Sequence, residues 1–295
     1  MFKAVAESGG FNQAASAVHK SQSSIHHAVN KLEEGLGINL LQASGRKTLL
    51  TPTGELMLRR ANYLLEEMNR IEAVVQQLSK GVESRLRIAL DGAFPQNMVL
   101  KALVAVSDVY PQTNIDIVDT VLSGTNELID QGKVDLGISP LVLPNSLSEE
   151  ICQIKFILVA HHQHPLLQLQ TQLDLVDLKG HRQIVVRDSA TENKISSGWL
   201  GAEQQWTVSN MRASIDLVTQ GMGYASLPEP LIGHYLESQV LKPLPIDTLD
   251  AKQDLGGCRN VSFYLNFQDD EQLGPAAREF IGQLRLLTMD MPISE

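Results

Sequence analysis

The sequence predicts an α/β chain in three parts: a short helical head, one long connecting helix, and a body in which strands and helices alternate. Three observations predict it. Up to Gly37, apolar residues recur at three- and four-residue spacing in short bursts, the period of amphipathic helices. From Pro52 to about Lys80 a single helical pattern runs on without a stop. From Ser84 onward, strand-like runs such as Leu86–Leu90, Asn114–Val118 and Val134–Ile138 are separated by helical stretches. That alternation is the mark of a parallel sheet with helices on its faces.

In the head, Met1–Ser8 reads as a helical turn or two with Phe2 and Val5 inward, broken by Gly9 and Gly10. Phe11 reads as a hydrophobic staple ahead of Asn12, an expected N-cap. Ala14, Ala15 and Val18 give the next helix a small apolar face that a second helix can cross closely. Ser21 and Ser23 sit where that second helix starts, since a serine oxygen accepts a bond from an orphan backbone N–H. Ile25, Val29 and Leu32 are its inward residues. Its remaining positions, among them Gln22, Ser24, His26, His27, Asn30 and Lys31, are nearly all hydrogen-bonding types, which is what a helix lying in a DNA major groove needs. Gly35 and Gly37 are expected to end it.

Ser44-Gly45-Arg46-Lys47 then forms a basic turn between two short extended pieces, a hairpin whose tip can lie on phosphates. Thr51 and Pro52 suit the N-cap and first position of the long helix. Ala61, Leu65, Met68, Ile71, Val75 and Leu78 step along it by four and three, the seam of a coiled coil, and predict a partner helix from a second subunit.

The body begins with the strand Leu86–Leu90. A turn at Asp91–Pro95 opens a helix with Met98, Leu100 or Val99, Leu103 and Val106 inward. Further strands are expected at Glu150–Ala160, Gln183–Val186, Trp206–Val208, around Tyr224–Leu227 and at Val261–Leu265, with a closing helix at Pro275–Leu287. Two small α/β lobes result, with the chain crossing between them near Ala160 and Asn266. Ligands of such sheets bind outside the carboxyl ends of the strands.

The chain has 295 residues, enough for two or three folded units. No apolar run approaches the ~18–20 residues that span a bilayer, and no signal-peptide pattern opens the chain. A membrane role is therefore not expected, and the cytoplasm is the expected compartment. The net charge is −10. Residues 1–60 nevertheless hold seven Lys/Arg against four Asp/Glu, and the rest hold 17 against 30. A small basic head on an acidic body fits a protein that touches DNA with one end. Cys152 and Cys258 are the only cysteines, without zinc spacing. Packed or partly exposed thiols are expected, an oxidation-sensing pair being the alternative. The absence of GxSxG, P-loop and GxGxxG motifs speaks against an enzyme, and no cofactor or metal is expected.

The run from Phe2 to Glu55, FKAVAESGGFNQAASAVHKSQSSIHHAVNKLEEGLGINLL followed by GRKTLLTPTGE, resembles the LysR-type transcriptional regulators. The body segments YPQTNIDI, LIDQGKVDLGI, HHQHPL and QGMGYASLP stand in the order expected of that family. The resemblance implies a winged helix-turn-helix head (1–54), a dimerising linker helix (55–83) and an effector domain (84–295) of two periplasmic-binding-protein-like lobes. Lobe I would be 84–160 with 266–295, and lobe II 161–265. The family usually has several residues before Phe2, so either the first helix is expected to be truncated or the start of the chain is misplaced.

Implied partners are double-stranded promoter DNA, a small-molecule effector such as an organic acid, further copies of the chain in a homodimer or homotetramer, and RNA polymerase. Ser21, Gln22, Ser23, Ser24, His26, His27, Asn30 and Lys31 would face the groove, and Arg46 and Lys47 the phosphates. The His26–His27 pair departs from the family pattern, and so does Ala43, which stands where an arginine is usual. The effector cleft would take Asp91, Gly92, Ala93, Leu122, Ser123, Gly124 and Ser139 from the first lobe. From the second it would take Arg187, Asp188, Ser189, Ser209, Asn210 and Met211, the last at a helix start that favours anions.

Overall fold

The computed structural model describes residues 1–44, 47–79, 81–144, 146–169, 172–198, 200–246, 257–269, 271 and 273–289. The chain divides into two units, Met1–Lys80 and Gly81–Glu295.

The first unit runs α1 (Phe2–Ser8), α2 (Phe11–Ala17), α3 (Gln22–Leu36), β1 (Leu41–Ser44), β2 (Lys47–Leu50) and α4 (Pro52–Ser79). Seven-residue helices such as α1 and α2 do not hold alone. They are held by a shared core of Phe2, Val5, Ala14, Ile25, Val29 and Leu40, where burying each larger side chain contributes roughly 1.5–3 kcal/mol. Gly9, at φ 71°, ends α1 in the left-handed conformation.

The expected cap at Asn12 is not formed. The extended Gly10 delivers the chain into α2 already at Phe11, so Asn12 lies inside the first turn. Helix α3 likewise passes through Gly35 and stops only at Gly37, at φ 69°. Strands β1 and β2 pair antiparallel, with Leu41 opposite Leu50 and Ser44 opposite Lys47. Thr51 Oγ1 accepts the Gly54 N–H at 3.0 Å and caps α4. Helix α4 leaves Leu65, Met68, Ile71 and Val75 between 42% and 59% exposed.

The second unit runs β3 (Arg85–Asp91), α5 (Gln96–Val109), β4 (Asn114–Thr120), α6 (Gly124–Asp130), β5 (Leu136–Ser139) and β6 (Leu147–His161). After a 3-10 turn at Pro165–Gln168 come α7 (Leu175–Lys179), β7 (Gln183–Val186), β8 (Gln205–Val208), α8 (Met211–Thr219) and β9 (Tyr224–Pro228). The last elements are α9 (Glu229–Glu237), β10 (Leu241–Pro243), β11 (Cys258–Phe267) and α10 (Pro275–Met289).

Their sheet has the order β4-β3-β5-β11-β6-β9-β7-β8, with β10 against β6. Strands β4, β3 and β5 are mutually parallel, as are β9, β7 and β8. The two parallel halves are joined by β11 and β6, which run antiparallel to each other and to their outer neighbours. The expected crossings near Ala160 and Asn266 lie at the ends of these two strands. Because β3 is covered on both faces, Leu86, Ile88, Ala89 and Leu90 are all buried. Helix α5 turns Val99, Ala102 and Val106 inward and leaves Leu100 58% exposed.

The two cysteines do not meet. Cys152 stands opposite Phe263, and Cys258 opposite Ile157. That five-position offset is about 16 Å along the strands, against the ~7 Å Cα separation a disulfide tolerates. Burial pushes the Cys152 thiol up to about 12, with Glu150 adding to it. The His161-His162-Gln163-His164 run is structural at its end: buried His164 accepts the Leu166 N–H on Nδ1 at 3.2 Å. Among the described residues no helix is long and apolar enough to cross a membrane.

Candidate functional site

The head presents one polar helix face. Wholly buried Ile25 and Val29 anchor α3 in the core, and helical periodicity then turns Ser21, Gln22, Ser23, Ser24, His26, His27, Asn30 and Lys31 outward, all exposed. Ser21 Oγ accepts the Ser24 N–H at 3.2 Å as the N-cap. It also shares hydrogen bonds with the Ser23 and Ser24 hydroxyls, at 3.0 and 2.8 Å. The His26 ring stacks on Phe11 with centroids 3.8 Å apart and an 11° tilt, so one imidazole face is covered while His27 stays open. Lys47 opens β2, and Arg46 lies outside the described residues.

Two residues that sequence reasoning passed over hold the strand after α3. Glu33 Oε1 accepts the Leu40 and Leu41 N–H groups at 2.6 and 2.9 Å. Gly54 packs so closely that a Cβ there would lie 2.0 Å from the Leu40 carbonyl oxygen.

The second unit contains a cavity of about 140 Å³. Its floor is built from Phe156 and Leu158 of β6 and from Arg259, Val261 and Phe263 of β11. Alternate residues of a strand share a face, so the two joining strands pave one surface. Val121, Leu122, Ile184, Val186 and Met211 add apolar walls, and Ser197, Gly198, Ser214 and Ser226 add polar or small ones. Asp91 and Arg259 are the charged residues among the described lining.

Buried Asp91 accepts the Ala93 and Leu122 N–H groups at 2.9 and 2.7 Å. Burial, with nearby Asp188 adding to it, pushes its carboxyl up to about 6 against those two bonds. Arg259 lies over the Phe156 ring at 5.4 Å and donates to Ser197 Oγ at 3.3 Å.

The thirteen residues expected at a cleft fall into three groups. Asp91, Ala93, Leu122 and Met211 line the cavity, with Gly92 beside Met211. Ser123, Gly124, Asp188 and Ser189 instead form a latch between the halves. The Ser123 hydroxyl donates to Asp188, whose carboxylate also accepts the Ala190 and Ile195 N–H groups, both at 2.9 Å. Ser189 Oγ accepts the Val121 N–H at 2.9 Å, and the Ser189 N–H returns to the Val121 carbonyl at 3.2 Å. Glu127 extends the latch, accepting the Thr191 and Glu192 N–H groups at 2.7 and 3.2 Å and the Thr191 hydroxyl. These bonds, led by the Thr191 hydroxyl, hold the Glu127 carboxyl below its usual range.

The remaining four lie elsewhere. Ser139 is locked in a buried network with Asn126 and Asn266. Arg187 and Ser209 are exposed. Asn210 caps α8 by accepting the Ala213 N–H at 2.8 Å. The cavity's basic group is thus Arg259 rather than Arg187. The strand expected from Val261 in fact starts at Cys258, which brings Arg259 onto the face it shares with Val261 and Phe263.

The chain matches two family models, "Bacterial regulatory helix-turn-helix protein, lysR family" over residues 1–55 and "LysR substrate binding domain" over residues 79–287. It is 28% identical to the uncharacterized HTH-type transcriptional regulator YeeY of Escherichia coli strain K12, over 81% of this chain and 79% of that one. Among solved structures it is similar to CrgA, a LysR-type transcriptional regulator from Neisseria meningitidis, with a TM-score of 0.52, 21% identity and coverage of 98% and 96%. It is also similar to full-length LysG from Corynebacterium glutamicum with bound effector Arg, with a TM-score of 0.53, 15% identity and coverage of 98% and 96%. The chain therefore belongs to the LysR family, whose members are oligomeric, effector-responsive, DNA-binding transcriptional regulators and not enzymes.

Proposed function

We propose that this regulator works in the cytoplasm as a homodimer or homotetramer joined through α4. On this reading it contacts promoter DNA through α3 and the β1–β2 wing, meets RNA polymerase there, and changes output when a small organic acid enters the cavity of the second unit. The functional division is 1–54 for DNA, 55–83 for dimerisation and 84–295 for the effector, with lobe I at 84–160 and 266–295 and lobe II at 161–265. The apolar stripe Leu65–Met68–Ile71–Val75 supports the oligomer, since so many exposed large side chains at heptad spacing need a cover.

The observation that carries the effector reading is the cavity itself: mostly apolar, with a guanidinium in its wall. Its 140 Å³ compares with the ~150 Å³ that accommodates benzene, so the effector is small. A guanidinium is a natural partner for a carboxylate.

The test is a mobility-shift titration on the gene's own upstream DNA, with and without a panel of small carboxylic acids. Wild type should bind with an affinity that falls steeply with salt and respond to at least one acid. Arg259→Gln should keep the DNA affinity and lose the response. An unaltered response in Arg259→Gln would reject the reading.

A further inference from the structure

Asp91 is a buried carboxylate facing a cavity, and among the described residues no cation pairs with it. Buried charges in proteins are normally paired. Its two backbone bonds leave acceptor capacity, because an ionised carboxylate offers about four lone-pair sites. A second polar group waits at the same end: Ser214 Oγ is fully buried, lines the cavity and has no hydrogen-bond partner among the described residues. Ser214 lies one helical turn beyond Met211, and a Cβ on Gly92, next to Asp91, would sit 3.6 Å from Met211 Cβ.

Arg259 stands at the other end. Leu90 pairs with Ile138 and Ile138 with Leu265, so Asp91 lies level with Tyr264, two strands away. Arg259 is five residues further along β11, about 16 Å at ~3.3 Å per residue. The negative and positive groups therefore enter one cavity from strand positions well separated along the sheet, and Phe156 and Phe263 share its lining.

We propose that the effector is a small linear zwitterion, its carboxylate held at Arg259 and its ammonium held at Asp91 and Ser214. This rests on the organic-acid reading and adds the second charge. A ligand with only a carboxylate leaves Asp91 uncompensated. A dicarboxylate places a second negative charge against it.

The experiment measures calorimetric affinity of the full-length protein for 6-aminohexanoate, hexanoate and hexylamine, which share one chain and differ only in their charged ends. The expected result is that 6-aminohexanoate binds at least roughly tenfold more tightly than either relative, as a charge-assisted hydrogen bond at each end predicts. Arg259→Gln should bring it down to the hexylamine value. Ser214→Ala, which leaves the amide bonds of Asp91 intact, should weaken it by roughly tenfold. Hexanoate binding as tightly as 6-aminohexanoate overturns the zwitterion and leaves the organic-acid reading standing. Hexylamine binding as tightly as 6-aminohexanoate overturns both, and so does binding of none of the three.

Discussion

Gly124→Ala tests whether the latch holds the two halves of the second unit together. A Cβ at 124 would lie 2.0 Å from Ser189 Oγ, 3.1 Å from Ser189 Cβ and 3.2 Å from the Ala190 nitrogen. Ordinary carbon contacts lie at ≈ 3.5–4.0 Å, so Ser189 must leave. Two hydrogen bonds to Val121 go with it, at about 1 kcal/mol each, and residual crowding costs about 1–3 kcal/mol. Alanine in place of glycine in a helix returns at most about 1 kcal/mol, so the steric effect wins by roughly 2–4 kcal/mol. For a unit of this size that is roughly 4–16 °C in Tm, read by calorimetry on the full-length protein. Adding Ser189→Gly removes both colliding atoms and should restore most of the loss. An unchanged Tm in the single variant would refute the close approach. A double variant no better than the single would refute the clash as its cause.

Three other perturbations bear on separate parts of the molecule. Because folding raises the Asp91 carboxyl from 3.8 to about 6, the native state holds its proton more strongly, and the associated stability, up to about 3 kcal/mol, is present below pH 4 and lost as pH rises through 6. Wild type should therefore lose more stability than Asp91→Asn between pH 4 and 7 in urea titrations, and parallel curves would count against it. Iodoacetamide should modify exposed Cys258 in the native protein and reach buried Cys152 only after denaturation; mass spectrometry showing native Cys152 labelling contradicts the burial. Ile71→Asp should dissociate the oligomer in light scattering by placing a charge in the α4 seam, and an unchanged mass would move the interface elsewhere.

The local periods of the chain were legible before any coordinates. Ile25 and Val29 announced the inner face of α3, and the strand-helix alternation from Leu86 announced a parallel sheet with helices on its faces. Non-local register was not legible. Cys258 and Ile157 are opposite each other only because β6 and β11 pair over their length, and no short window of sequence contains that pairing. The cavity floor depends on it, so Phe156, Arg259 and Phe263 carried no local signal of a site. Of the residues expected from the strand ends, Ser123 and Ser189 bond to Asp188 and Val121 rather than line the cavity. Gly124 read as an ordinary helix start, although a side chain there has no room. The Asn12 cap failed for a local reason, since the extended Gly10 made an earlier helix start equally accessible.

The placement of the cavity also constrains how a ligand acts. Its floor belongs to the two strands that join the half-sheets, and one wall, Ser197–Gly198, follows the latched segment Asp188–Glu192 after four intervening residues. A ligand gripping Arg259 pulls on β11 and, through the Arg259–Ser197 bond, on that segment. A ligand gripping Asp91 pulls on the end of β3, whose carboxylate also fixes Leu122 beside the latch residue Ser123. Both ends of a bridging ligand thus act on the latch from opposite sides. A ligand with one charged end acts on only one side, and an equilibrium shifts only by the difference in a ligand's affinity for the two states. Occupancy and response should therefore separate. Single-charge analogues that still fill the apolar floor are expected to compete for the cavity while changing promoter binding less than the doubly charged ligand does.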